Sequence, residues 1–165
     1  MNKKLTICAI FVLTLLLWGP LQAEPPKLDI ADTVIKIPLQ EDVSMDDAVD
    51  SMKLRANALN FKLVAHQPLY KELQAMGVES KRIEIFQFCD ARIAKAMLTH
   101  DMDFAAYLPC RITLLEDESG KAWLISMNLD MFIQSANLPS ELMEKAVKVR
   151  DTIQEIMEAG AAGDL

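Results

Sequence analysis

The side chains of this 165-residue chain best suited to redox or soft-metal chemistry are three cysteines, two histidines and ten methionines. Cys8 lies inside an apolar run near the N-terminus, which leaves Cys89 and Cys110 as a pair. Soft sulfur ligands suit Cu(I), and histidine or methionine can complete a copper or haem site. By position the candidate ligands are Cys89, Cys110, His100 and Met102, because His100 and Met102 fall between the two cysteines in sequence. In an oxidising compartment two cysteines form a disulfide, and here the closed loop of about 21 residues would add up to ~3 kcal/mol. Cys89 also directly precedes Asp90, which reads as a helix cap, so the helix dipole is expected to lower its thiol pKa. Three readings of the pair stay open: a structural disulfide, a redox or metal pair, and two small apolar fillers.

Other chemistries are poorly served. There is no Cys-x-x-Cys, which argues against a thioredoxin-like exchange site and against covalent c-type haem. The chain lacks Gly-x-Ser-x-Gly and His-Glu-x-x-His, and five glycines leave little room for a phosphate loop. Asp46-Asp47 reads as a helix start, and Glu116-Asp117-Glu118 as a solvated turn. His66, near the end of an alternating stretch, reads as a surface or satisfied histidine. Methionines such as Met45 and Met52 fall at core spacing rather than in a copper-binding run. No classical catalytic constellation is present.

Charge and composition bound the partners. Seventeen basic residues against 24 acidic ones give a net charge of −7 and a pI near 4.8, the wrong sign for nucleic acid or an anionic membrane surface. With 52% apolar and 25% charged residues the chain is expected to fold. Lys3 and Lys4, the apolar stretch from Leu5 to Trp18, Gly19-Pro20 and a small residue at Ala23 make residues 1–23 a signal peptide. That stretch is short for a span, which needs ~20 apolar residues, so no membrane span is expected after cleavage. Losing Lys3 and Lys4 takes the net charge to −9. Export to the periplasm or the medium is expected. Residues 24–32 then form a flexible leader, 33–160 a single domain and 161–165 a frayed tail.

The elements that must position these side chains can be read from periodicity. Val34 to Leu39 is β-branched and predicts a strand. Ser44 predicts a helix cap, followed by an apolar stripe through Met45, Ala48, Val49, Met52, Ala56 and Leu59. Phe61 to Pro68 predicts a second strand, and Tyr70 to Met76 one or two helical turns before Gly77. Arg82 to Cys89 alternates, with Ile83, Ile85, Gln87 and Cys89 on one face and Glu84, Phe86 and Phe88 on the other. Asp90 caps a helix to about His100. Leu108 to Glu116 and Ala122 to Met127 predict a hairpin about Asp117-Glu118-Ser119-Gly120. Ser140 is expected to cap a long last helix that Gly160 ends. The order β-α-β-β-α-β-β-α predicts an α+β domain of two layers with a mainly antiparallel sheet.

In this order the chain resembles the family called domain of unknown function 302, from about Ser44 to Asn128. Asn60-Phe61-Lys62-Leu63-Val64 is similar to its Gly-Phe-x-Val strand start, and Glu84-Ile85-Phe86 to the strand before its Phe-Gly-Asn-Pro turn. Met97-Leu98 suits the following helix. Leu108-Pro109, Leu114-Leu115-Glu116-Asp117 and Gly120-Lys121-Ala122-Trp123 resemble its Leu-Pro strand and acidic-turn-Trp hairpin. The chain departs from the pattern at Gln87-Phe88-Cys89 and at Cys110. The resemblance implies a two-layer fold like that of TATA-box-binding-protein-like domains, and no activity, since the family has none established and fold does not carry function.

A long helix across a curved sheet can leave an apolar cleft. Phe61, Phe86, Phe88, Phe104, Tyr107, Trp123 and Phe132 are available to line it or to fill it, with Phe86, Phe88, Tyr107 and Trp123 the first candidates. The leading expectation is a binding or interaction module with a Cys89–Cys110 disulfide, taking an unidentified protein or small-molecule ligand, with a homodimer among its assemblies. The alternatives are a thiol-redox, copper or haem protein using Cys89 and Cys110, and a carrier of a small hydrophobic ligand.

Overall fold

The computed structural model describes residues 27–164, so the expected signal segment lies outside the described residues. Five strands, β1 (Val34–Pro38), β2 (Lys62–Gln67), β3 (Ile83–Cys89), β4 (Cys110–Glu116) and β5 (Ala122–Met127), form one sheet in the order β1-β5-β4-β3-β2. Every pairing is antiparallel. The helices are α1 (Met45–Ala58), α2 (Leu69–Ala75), α3 (Ala91–His100), α4 (Leu129–Ser135) and α5 (Ser140–Ala162). The α+β class and the antiparallel sheet are those expected from the sequence.

Alternation along the strands makes two different faces. In β3 Glu84, Phe86 and Phe88 are buried while their neighbours are half-buried. The same face carries Ile112 and Leu114 of β4 and Leu124 of β5, and packs against Ala48, Val49, Met52 and Ala56 of α1 and Ile153, Ile156 and Met157 of α5. This single apolar cluster is the driving force for the fold. The opposite face holds Ile83, Ile85, Thr113, Leu115, Trp123 and Ile125, with Lys36, Lys62 and Arg111 among them.

Local chemistry explains most boundaries. Ser44 and Asp47 form a reciprocal capping box at the start of α1, the Ser44 hydroxyl accepting from Asp47 N–H at 3.1 Å. Asp90 caps α3 by accepting from Arg92 and Ile93 N–H. After α1 the chain turns at Asn60 with φ 57°, a left-handed conformation that asparagine tolerates better than most residues. That is why asparagine can stand where the family's strand start has glycine.

Three boundaries differ from expectation. Ser140 is the first residue of α5 rather than its cap; Pro139 holds the cap position without a side-chain hydrogen bond. Gly160 does not end α5. The helix continues to Ala162 with Ala161 buried, and stops at Gly163, whose φ of 69° and the Asp164 N–H to Ala159 C=O bond close the terminus. The domain therefore runs past residue 160, and the frayed tail expected from 161 does not begin there. The short helix α4 was not announced by periodicity; Asn128 initiates it by accepting from Asp130 N–H at 3.1 Å.

Candidate functional site

At the Cys110 end of the sheet the helical layer does not close on itself. Ile93 and Met97 of α3, Phe104 in the 3-10 turn Met102–Ala106, Leu129 and Phe132 of α4, and Ala146 and Val149 of α5 surround an apolar cleft of about 270 Å³. Such a space opens here because α4 and the 3-10 turn are short segments. Side chains of all four elements line it. The polar groups at the cleft are few: Asp101, Asp103, the Tyr107 phenol and Ser135. Tyr107 and Phe132 stand against each other in a tilted pair, ring centres 4.8 Å apart. Beyond that pair lies a second groove, of about 390 Å³, on the opposite sheet face, lined by Ile85, Arg111, Thr113 and Ile125. Tyr107, Cys110, Leu129 and Phe132 line both spaces.

The two cysteines do not behave as expected. Both are free thiols, so the structure makes no Cys89–Cys110 disulfide. The reason is register. Cys110 pairs across the ladder with Phe88, so Cys110 shares the helix-covered face with Phe88, and Cys89 is the next residue along, of opposite parity. Nor is the Cys89 thiol activated. Burial pushes its pKa up, and the neighbouring Asp90 carboxylate pushes the same way, against the helix dipole. Burial holds Cys110 up at about 11, with Cys89 adding to it.

Of the candidate copper or haem ligands, Cys89 and Cys110 are neighbours across the β3–β4 ladder, whereas His100 and Met102 stand at the surface. Among the described residues no three His, Cys, Asp or Glu side chains stand close enough to hold a metal ion. His100 is exposed at the C-terminal end of α3, and Met102 is 77% exposed.

Of the aromatic candidates, Tyr107 lines the cleft, together with Phe104 and Phe132. Phe86 and Phe88 are 0% exposed and belong to the core, as does Phe61. Trp123 lies on the opposite face, its indole N–H donating to Asp117 at 2.8 Å beneath the Lys121 ammonium. Phe86, Phe88 and Trp123 fill or cover structure rather than line the site, because strand parity and register, not residue type, set their direction.

A match to the family described as Domain of unknown function DUF302 spans residues 35–160. The chain belongs to that family. The crystal structure of an uncharacterized conserved protein DUF302 from Bacillus stearothermophilus is similar in fold, with a TM-score of 0.65 at 16% identity. The similarity covers 77% of this chain and 97% of that one. No curated protein matches the chain.

This DUF302 domain also contains a polar chain that sequence reasoning missed. Asp46 at the start of α1 meets the Arg82 guanidinium at 2.7 Å, Arg82 Nε donates to Glu84 at 2.5 Å, and His66 Nε2 of β2 lies 2.5 Å from the other Glu84 oxygen. Glu84 is 4% exposed, and the His66 ring stacks on Phe86 at 4.4 Å. A buried carboxylate needs such partners, since unpaired burial of charge is strongly unfavourable. The chain ties α1, β3 and β2 together at the end of the sheet away from the cleft. Its signal was present in the sequence, as Glu84 shares parity with Phe86 and Phe88.

Proposed function

We propose that this DUF302 domain is an exported protein that binds a small, largely apolar molecule in the cleft between α3, α4 and α5. The single observation that supports the reading is the cleft itself: a space of about 270 Å³ with an apolar wall and a few polar groups at its rim. An apolar cavity of this kind gains free energy when an apolar solute displaces its poorly bonded water. The cleft is bounded by elements of different burial. α5 is held in the core, whereas α4 and the 3-10 turn contribute no fully buried residue. The latter two are therefore the elements that give way when a ligand enters.

Ala146 is the wall position to test, because a large side chain there occupies the space. Titration with a naphthylamine dye that fluoresces in apolar surroundings should saturate with the wild-type protein. Ala146→Phe is expected to weaken that binding at least about tenfold while leaving the far-ultraviolet spectrum unchanged. Undiminished dye binding by a folded Ala146→Phe protein removes the reading.

A further inference from the structure

Tyr107, Cys110, Leu129 and Phe132 line both the cleft and the groove on the opposite sheet face, so the Tyr107–Phe132 pair is a wall common to the two spaces. The two rims differ in charge. On the helical side stand Asp101 and Asp103. On the sheet side stands Arg111, exposed, which makes no ion pair among the described residues.

The same asymmetry runs across the sheet. The ladder registers put Lys36, Lys62 and Arg111 on the face opposite α1 and α5, and no strand carboxylate there. In a chain of net charge −7, the strand residues of this face thus carry cations and no carboxylate, and most of them are apolar. A guanidinium with no counter-ion beside an apolar groove complements a carboxylate carried on an apolar chain, and its planar fork matches a carboxylate bidentately.

We infer that the ligand is a single-chain fatty carboxylate, with its tail in the cleft behind Tyr107 and its head group on Arg111. The inference rests on the reading of the cleft as a ligand site. Orientation follows from the rims, since the reverse placement sets the carboxylate against Asp101 and Asp103. The cleft volume, just below the usual range for small-molecule pockets, accommodates one acyl chain rather than two.

Calorimetric titration of the purified protein with dodecanoate, dodecanol and dodecyltrimethylammonium, each below its micelle concentration, tests the assignment. Dodecanoate is expected to bind about tenfold more tightly than dodecanol, and the ammonium compound most weakly. Arg111→Gln should reduce dodecanoate to the affinity of dodecanol while leaving dodecanol unchanged; the exposed side chain can be replaced without loss of core. Added salt should weaken dodecanoate binding by the wild-type protein and spare dodecanol. Equal binding of dodecanoate and dodecanol overturns the head-group assignment and leaves the cleft reading standing, as does a preference for the cation. Failure of all three compounds to bind overturns the cleft reading as well.

Discussion

Cys89 and Cys110 sit at the ends of β3 and β4, and both thiols are held in the protonated form by burial. The folded Cys110 thiol, at about 11, binds its proton more tightly than the same thiol in an unfolded chain. Its contribution to stability is therefore complete below the ordinary thiol pKa and is lost as pH rises from there through about 11. Cys110→Ala should flatten that part of the pH–stability curve, read from urea midpoints. Alkylation by iodoacetamide, located by peptide mass spectrometry, should modify native Cys110 roughly a hundredfold more slowly than the unfolded chain near neutral pH. Rapid native labelling would contradict the burial account. The position of Cys89 before a helix cap was visible in the sequence, and so was the Asp90 anion that opposes the dipole. Burial was not visible, and burial is the larger cause.

At the scale of elements, α1 and α5 come close together where Gly160 faces α1. A Cβ at Gly160 would stand 2.5 Å from Met52 Cγ, 3.1 Å from Leu124 Cδ1 and 3.2 Å from the Ala48 carbonyl oxygen. Gly160→Ala should destabilise the protein by about 1–3 kcal/mol, measured by urea denaturation, although alanine is intrinsically the better helix former. An unchanged or raised midpoint would show that the two helices can separate without cost. The stripe of α1 and the alternation of β3 were legible because each depends on a period within one segment. The end of α5 was not, because glycine serves both to stop a helix and to admit a neighbour, and only the neighbour distinguishes the two. Gly163, whose Cβ would meet Val43 at 3.1 Å, takes the stopping role by virtue of its positive φ.

For the whole molecule, the sheet separates two environments: a buried face covered by α1 and α5, and an opposite face that is apolar and cationic in an acidic protein. The export proposal belongs at this scale. Expression of the full chain in a bacterium should yield a periplasmic product that begins at Glu24, and intact-mass measurement reads this directly. A cytoplasmic product retaining Met1 or Asn2 would contradict it. The sequence by itself determined the α+β class, the order of the strands and of every helix but α4, the β4–β5 hairpin and the caps at Ser44 and Asp90. All of these depend on residues a few positions apart. The tertiary structure alone decided that Phe86 and Phe88 fill the core while Tyr107 lines a cleft, and that Glu84 joins Arg82 and His66. It also decided that Cys89 and Cys110 have opposite parity. Apart from the placement of Tyr107, which precedes β4, those outcomes depend on which residues of β2, β3, β4 and β5 stand opposite one another, and a one-residue change of register would have reversed them.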